Sequence, residues 1–464
     1  MTHKYVSTTD PSEVEACDCE VVDRFEFDEA IPTTLVVGKG SDTELNHLNS
    51  VIAVDEEFEV TTRKVDTGAD LTDDKATIED IKKVHKLIGQ GTGDGVTVCV
   101  MDSGIDFTHP VFDETSIEKH DVTGTGYGDN LGHGTGVAGQ IVRIALNVDL
   151  ISLKIFGGAG STKGKTIFEA YDWLLKNANR VQVANMSWGS STQVDQIDRI
   201  HERLLQKGVR DVCAAGNGGG KGGSPATARK AMSVGSTDSD GNLAEFSSYN
   251  PKKGNPDLCA VGKNCVLAKA AGTSMGQRVK DNWTKASGTS FSAPVVSGAV
   301  ATYIEESPTV PAPEILRRFA KTARDIPETP RDGAGNLDYL RLANNHQSSD
   351  QPMKTFEQEV VHLVREEYGN SAVETNKVLE ETERMADLWF DTGTVPITAE
   401  LERDWEGAIR SVGQLALYAT HEEKPVSVII LPDGEIESPE KSLMAQGSPV
   451  DIYEVSELFP GHFG

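Results

Sequence analysis

Cysteine is scarce: the 464-residue chain has six, too few for a disulfide scaffold of this length. Cys17 and Cys19 form C-x-C rather than the C-x-x-C of redox and zinc motifs, and no His-rich cluster accompanies them. Cys259 and Cys265 are near enough to bridge, but free thiols are the expectation for a reducing compartment. Basic residues are also outnumbered, 44 Lys and Arg against 72 Asp and Glu, for a formal charge of −28. That balance opposes unspecific nucleic-acid binding and favours solubility through self-repulsion. Spread along the whole chain, it suits a high-salt cytoplasm, where ions screen the repulsion. No window reaches the apolar length of a membrane span, so no membrane partner is expected. The first twenty residues, "MTHKYVSTTDPSEVEACDCE", lack a basic stretch followed by an apolar one. No Sec-type or Tat-type signal is therefore expected, and the expected location is cytoplasmic. There is no internal repeat and no low-complexity tract.

What is present suffices for packed cores: 38% hydrophobic residues, including 14 Phe, 9 Tyr and 5 Trp. The length is enough for two or three domains. Residues 1 to about 65 alternate apolar and polar runs: "VVDRFEF", "IPTTLVVGK", "TELNHLNSVIAV" and "EFEVTT", read as strand, strand, helix and strand. A polar stretch around residues 66–84 reads as an exposed linker. From 85 to 344 the pattern becomes strand–helix alternation. "GVTVCVMDSG", "DLISLKIFG", "VQVANMSWG" and "VRDVCAAGN" are β-branched runs ending in Gly or polar residues. Between them "HGTGVAGQIVRIA", "KTIFEAYDWLLKNA" and "VDQIDRIHERLLQKG" have helical periodicity. Such alternation predicts an α/β fold with an open parallel sheet and its site at the strands' C-terminal ends. "NNHQSSDQP" marks a second boundary, and residues 353–464 form a smaller α/β unit.

The stretch "SGTSFSAPVVSGAVATYI" sets three hydroxyls before an apolar helical run, with Pro294 suited to a first turn. Ser290 there is either a helix cap or a nucleophile at a helix N-terminus. A serine hydroxyl is weak alone, so the second reading requires a base, an orienting acid and oxyanion donors. Asp102 ends the strand "VTVCVMD", His133 lies in "NLGHGTGVAGQI", and Asn217 follows the strand in "VCAAGNGGG". Each alone reads as a turn or cap residue. Together with Ser290 they supply acid, base, oxyanion donor and nucleophile, each in a Gly-rich setting that admits a substrate backbone.

"VMDSGIDFTHP", "GHGTGVAGQI", "NMSWGS", "AAGN" and "GTSFSAP", in that order, resemble the motif set of the subtilisin-like serine peptidases. The resemblance covers roughly residues 85–330 and implies the following roles. Ser290 attacks the peptide carbonyl, His133 transfers its proton, and Asp102 orients the imidazole. Asn217 and the backbone N–H of Ser290 hold the oxyanion, a side-chain donor of this kind being worth about 10²–10³ in turnover. Substrate binds as an added β-strand between "FGGAG" (Phe156, Gly157, Gly158 and onward) and "SWGS" (Ser187, Trp188, Gly189 and Ser190). Trp188 narrows the S1 pocket, whose floor lies near Ala214, Ala215 and Gly216, giving an apolar or aromatic P1 preference. No cofactor is needed for peptidase chemistry. Many relatives carry a calcium-binding aspartate after the "HP" of the first motif, where this chain has Val111, with Asp113 nearby. The segment "CAVGKNCVLAKAAGTSMGQRVKDNW" reads as a long surface loop without a catalytic role. Residues 1 to about 65 resemble the family's inhibitory propeptide, ending in a "VIAVDEE" strand. The chain is then an autoinhibited precursor processed within "TTRKVDTGADLTDDK"; the alternative is an accessory domain.

In the C-terminal region "KTFEQEVVHLVREEYG" and "WEGAIRSVGQLALYAT" read as helices, and "SAVETNKVL", "MADLWFD", "PITAELER" and "PVSVIIL" as strands. This order, with Asp387, Glu400 and the pair Gln414 and Tyr418, is similar to the PD-(D/E)xK nuclease superfamily. The resemblance implies Mg²⁺ held by Asp387 and Glu400 and a phosphodiester substrate. Glu402 stands where that motif has its lysine. The domain is thus either a DNA-cleaving unit of a defence-type enzyme or a degenerate one used for binding.

Overall fold

The computed structural model describes residues 3–344 except 18, 28–30, 40–44, 49, 63–74, 88–89, 251–254 and 327–330, and five strands beyond. It divides into two compact units, residues 1–349 and 350–464.

The first unit opens with a four-stranded sheet of β1 (Lys4–Thr8), β2 (Glu20–Phe25), β3 (Thr33–Lys39) and β4 (Val51–Glu56), ordered β2-β3-β1-β4, with the short helix α1 (Pro11–Glu15) after β1. The stretch expected to be helical over "TELNHLNSVIAV" turns to strand at Val51. Its Val-Ile-Ala-Val run favours a pleated surface, and it finds an antiparallel partner in β1, a strand not anticipated from sequence. Cys17 and Cys19 form a disulfide, and Cys99, Cys213, Cys259 and Cys265 are free and buried.

After β5 (Glu59–Thr62) comes α2 (Ile78–Val84), inside the expected linker. Thr77 and Asp80 form a reciprocal capping box at its start, a device visible in "TIED" that fixes a helix N-terminus. Ile78 and Ile81 of α2 belong to the main apolar core.

Seven parallel strands form the central sheet: β6 (Thr97–Asp102), β7 (Ile117–Asp121), β8 (Asp149–Lys154), β10 (Val183–Met186), β12 (Arg210–Ala214), β13 (Met232–Thr237) and β14 (Leu258–Val261). Their order is β14-β13-β12-β10-β6-β8-β7. The connecting helices are α3 (His133–Ile144), α4 (Gly164–Lys176) and α5 (Asp195–Gln206), preceded by the short strands β9 (Ser161–Lys163) and β11 (Trp188–Gly189) where they leave the sheet. The expected surface loop "CAVGKNCVLAKAAGTSMGQRVKDNW" is ordered instead. Its first residues belong to β14 at the sheet edge. The rest pairs as β15 (Cys265–Ala268), β16 (Gln277–Lys280) and β17 (Trp283–Ala286). Glycines and lysines between the short apolar runs hid these strands.

Helix α6 (Thr289–Glu306) crosses behind the sheet, with every side chain from Thr289 to Ile304 buried. A helix buried on all faces has no polar stripe, which matches its uniformly apolar and small-residue sequence. Pro294 lies inside α6 rather than in its first turn, and the N-cap is Gly288 with no side-chain cap. Helices α7 (Ala312–Thr322) and α8 (Tyr339–Asn344) close the unit. Among the described residues no helix is long and apolar enough to cross a membrane.

In the second unit β18 (Val373–Leu379), β19 (Arg384–Asp391), β20 (Pro396–Leu401), β21 (Val426–Leu431) and β22 (Asp451–Glu454) form one sheet in chain order. The first three are antiparallel, and β21 and β22 join in parallel. The two expected helices lie outside the described residues, and β22 was not anticipated.

Candidate active site

Asp102 is the last residue of β6 and His133 the first of α3. Their approach depends on Gly134, where a Cβ would sit 2.2 Å from the Gly104 carbonyl oxygen and 3.3 Å from Asp102 Cβ. His133 Nδ1 lies 2.8 and 3.0 Å from the two carboxylate oxygens of Asp102, and both side chains are buried. Burial works against a charged imidazole, but the Asp102 carboxylate outweighs it through charge and hydrogen bonding, and the His133 pKa is raised. A carboxylate so placed fixes the tautomer and leaves Nε2 facing outward from the pair. Nε2 has no hydrogen-bond partner among the described residues.

The loop before His133 is organised by Asp129, which sequence reasoning missed. Its carboxylate accepts from the amides of Leu131, Gly132 and Thr135 and from the hydroxyls of Ser103 and Thr135, all within 2.6–2.9 Å. The only signal in the sequence is an acidic residue four places before the histidine.

Ser290 is the second residue of α6, and the ring of the next residue, Phe291, lies 5.7 Å from that of His133. The Ser290 hydroxyl donates to the Ser187 carbonyl at 3.0 Å, and the Ser187 hydroxyl donates to the Ser290 carbonyl at 2.9 Å. Pro294 explains the second bond. Lacking an N–H, it cannot donate to the carbonyl four residues back, that of Ser290, and Ser187 supplies the missing donor. Asn185 Nδ2 in turn donates to Ser187 Oγ at 2.9 Å. The bland alternative, Ser290 as a helix cap, is thereby excluded.

Asn217 follows β12 and is held through Oδ1, which accepts from the backbone N–H and the hydroxyl of Thr289 at 2.8 Å each. That turns Nδ2 toward Gly288, where an added Cβ would meet it at 2.9 Å. Thr289, also missed, further accepts from the Gly216 amide at 3.1 Å. Gly216 sits at φ 119°, a conformation only glycine adopts without strain. Ala214 and Ala215 are buried beside it.

The residues expected to flank a substrate strand are paired with β5. Strand β5 lies between β11 and β9 in an antiparallel three-stranded sheet, with Thr62 opposite Trp188, Thr61 opposite Gly189, and Glu59 to Thr61 opposite Lys163 to Ser161. Thr62 N donates to the Gly160 carbonyl at 2.9 Å. Phe156, Gly157 and Gly158 lead from the end of β8 toward β9, with Phe156 fully buried. Trp188 is fully buried too, its ring edge-on to Tyr171 of α4 at 6.2 Å. The ring lies in the apolar cluster that also holds Phe58 and Val60.

The preceding sheet packs against the same face. Tyr5, Phe25, Phe27 and Phe58 surround Phe168 of α4 with ring centroids 5.1–5.8 Å apart. Buried Ser7 donates to Gln196 of α5 at 3.0 Å, and Gln196 donates to the Pro32 carbonyl at 3.1 Å.

The residues after the "HP" turn do not fit calcium. Val111 packs on the apolar core and its amide donates to His109 Nδ1 at 3.1 Å, while Asp113 is exposed. Among the described residues no group of three or more His, Cys, Asp or Glu is placed to hold a metal. In the second unit Asp387 and Glu400 stand on neighbouring strands, one step beyond the Leu388–Ala399 pair. Glu402, Gln414 and Tyr418 lie outside the described residues.

Comparison with known proteins agrees with this geometry. The model of the Subtilase family matches residues 93–353. The chain is 30% identical over 339 residues to alkaline elastase YaB of a Bacillus species, covering 70% of this chain and 82% of that protein. It is 30% identical over 254 residues to Subtilisin Savinase of Lederbergia lenta, covering 53% and 89%. Among solved structures, fervidolysin from Fervidobacterium pennivorans, described as a keratinolytic enzyme related to subtilisin, superposes with TM-score 0.60 at 19% identity, which bears on the fold alone. That match covers 76% of this chain and 61% of fervidolysin. With the family model matching residues 93–353 and relatives matched over most of their length, this chain belongs to the subtilase family and is a subtilisin-like serine endopeptidase.

Proposed function

We propose that the chain is made as an autoinhibited precursor whose catalytic groups are Ser290, His133, Asp102 and Asn217. Ser290 Oγ attacks the peptide carbonyl while His133 Nε2 takes its proton, the imidazolium being stabilised by Asp102. The oxyanion is held by Asn217 Nδ2 and the Ser290 N–H. His133 then delivers the proton to the leaving amine, and water hydrolyses the acyl-enzyme. Substrates are proteins or peptides that bind in extended form, pairing with Trp188–Gly189 and the stretch after Gly158. Such main-chain recognition tolerates many side-chain sequences.

The observation that carries the inhibited state is β5, whose residues occupy that strand position while the preceding sheet packs on α4 and α5. A groove filled on both edges has no room for another strand. The deciding experiment compares wild type with Ser290→Ala on a peptide substrate. Loss of about 10⁶ in turnover is expected, and residual hydrolysis within tenfold of wild type removes Ser290 from the mechanism.

A further inference from the structure

Strand β8 ends on Lys154, whose side chain is fully buried. A lysine rarely leaves water without partners that hold its charge. Lys154 Nζ donates to the Gly128 carbonyl at 2.5 Å, and the carboxylates of Asp121 and Asp129 act on the same ammonium. Burial presses its pKa down and the two carboxylates oppose that. In the sheet Lys154 stands opposite Asp102 of β6 on one side and Asp121 of β7 on the other.

These contacts tie both halves of the loop that runs from β7 to α3. The Lys154 carbonyl accepts from the Val122 amide at 3.1 Å, where the loop begins. Asp121 folds the next turn, accepting from the Thr123 and Gly126 amides at 2.7 Å each. The ammonium then holds Gly128, the residue before Asp129. Asp129 gathers the amides of Leu131, Gly132 and Thr135 on either side of His133.

Gly128 also reaches the Asp102–His133 pair by a second route. The carbonyl oxygens of Tyr127 and Gly128 lie against Gly104, where a Cβ would meet both at 2.8 Å. The Gly104 carbonyl is in turn the one that crowds Gly134, next to His133. Ser103, between Asp102 and Gly104, accepts from the Gly134 amide at 2.9 Å and donates to Asp129 at 2.9 Å. The Asp102 carbonyl accepts from the Ile155 amide at 2.7 Å, so the residue after Lys154 fixes the other member of the pair.

We propose, on the reading of His133 as the base, that Lys154 is a positioning residue for the Asp102–His133 pair. Its ammonium pins the Gly128 carbonyl, and the pinned loop carries His133 to bonding distance of Asp102. Lys154 touches no substrate and moves no proton; its effect passes through the bond between His133 Nδ1 and Asp102.

The test compares the full chain as wild type, Lys154→Met and Lys154→Arg in peptide hydrolysis and by proton NMR. A strong charge-assisted hydrogen bond moves its proton well downfield of backbone amides, so the His133 Nδ1 proton reports the pair directly. Lys154→Met keeps an unbranched stem and removes the charge and the donor. Its kcat is expected to fall at least ~10²-fold with KM changed less than about threefold, and the resonance to broaden or move upfield. Lys154→Arg keeps a cation and donors, and is expected to retain the resonance and roughly ten times the kcat of Lys154→Met or more. A folded Lys154→Met with kcat within about threefold of wild type and an unmoved resonance overturns the assignment. Equal losses in the two folded variants also overturn it, because they trace the effect to packing. Where Lys154→Met does not fold, Lys154→Gln, one bond shorter than lysine and uncharged, carries the same two outcomes. The NMR comparison is repeated in Ser290→Ala to separate the readings. A resonance moved there by Lys154→Met, with hydrolysis unaffected by Ser290→Ala itself, sinks the peptidase mechanism and leaves Lys154 as the residue that holds the pair.

Discussion

Ser297 donates its hydroxyl to Asn185 Oδ1 across 2.9 Å, joining the helix that carries Ser290 to the central strand β10. Asn185 passes the connection to Ser187, and Ser187 to the Ser290 carbonyl. Ser290 and Ser297 of α6 are seven residues apart, on one helix face. The position of Ser290, the proposed nucleophile, thus depends on a buried polar chain of four residues.

Ser297→Ala leaves Asn185 Oδ1 without this donor in a buried site, a loss of about 1–3 kcal/mol. Lower thermal stability is expected together with a fall in kcat larger than any rise in KM, and recovery of both in Ser297→Thr. A change in stability with kcat intact would make the chain of contacts purely structural.

With His133 as the proposed base, its raised pKa is expected to set the acidic limb of the activity profile, since only neutral imidazole accepts the serine proton. Asp102 supplies the shift, so Asp102→Asn is expected to move that limb to lower pH while reducing kcat by about 10⁴. The pH dependence of kcat/KM for both proteins decides this, and an unmoved limb contradicts it.

Asp55, at the end of β4, has its pKa pushed up to about 7 by burial and by Asp195 and Asp198 of α5, against the opposing Asp195 amide and Arg199. A carboxyl whose pKa is raised on docking takes up a proton when docked, so docking weakens as pH rises from about 4 to about 7. In a Ser290→Ala background, Asp55→Asn is expected to flatten the decline in Tm over that window. Parallel curves for the two proteins would remove Asp55 as its source.

Gly134→Ala places a methyl 2.2 Å from the Gly104 carbonyl oxygen, and backbone must move to admit it. The shift separates His133 from Asp102. A loss of kcat of at least 10²-fold is expected for such a displacement near the chemistry, and near-normal kcat would show that the α3 terminus yields elsewhere.

The strand ends and helix starts that carry the four expected catalytic residues were legible in the sequence, because hydrophobic periodicity locates such boundaries well. Asp102, His133, Asn217 and Ser290 could be placed from β-branched runs ending at glycine or polar residues. What escaped depends on partners far away in the chain. Strand β1 and the strand half of residues 43–54 make sense only as a pair. Asp129, Asn185 and Thr289 act through hydrogen bonds with no local periodic signature. The edge-on contact of Trp188 with Tyr171 of α4 likewise joins residues 17 apart that no local pattern links. Helix α2 is the opposite case, since its capping box was readable in "TIED" but was outweighed by the polar residues before it.

The pairing of β5 along both its edges also bears on how activity scales with the amount of protein. If the chain is the precursor proposed above, a cut after β5 would leave the severed segment with the same sheet contacts and the aromatic packing against Phe168 but no covalent link. It would then act as a competitive inhibitor present at one copy per enzyme, and activity per molecule would rise on dilution.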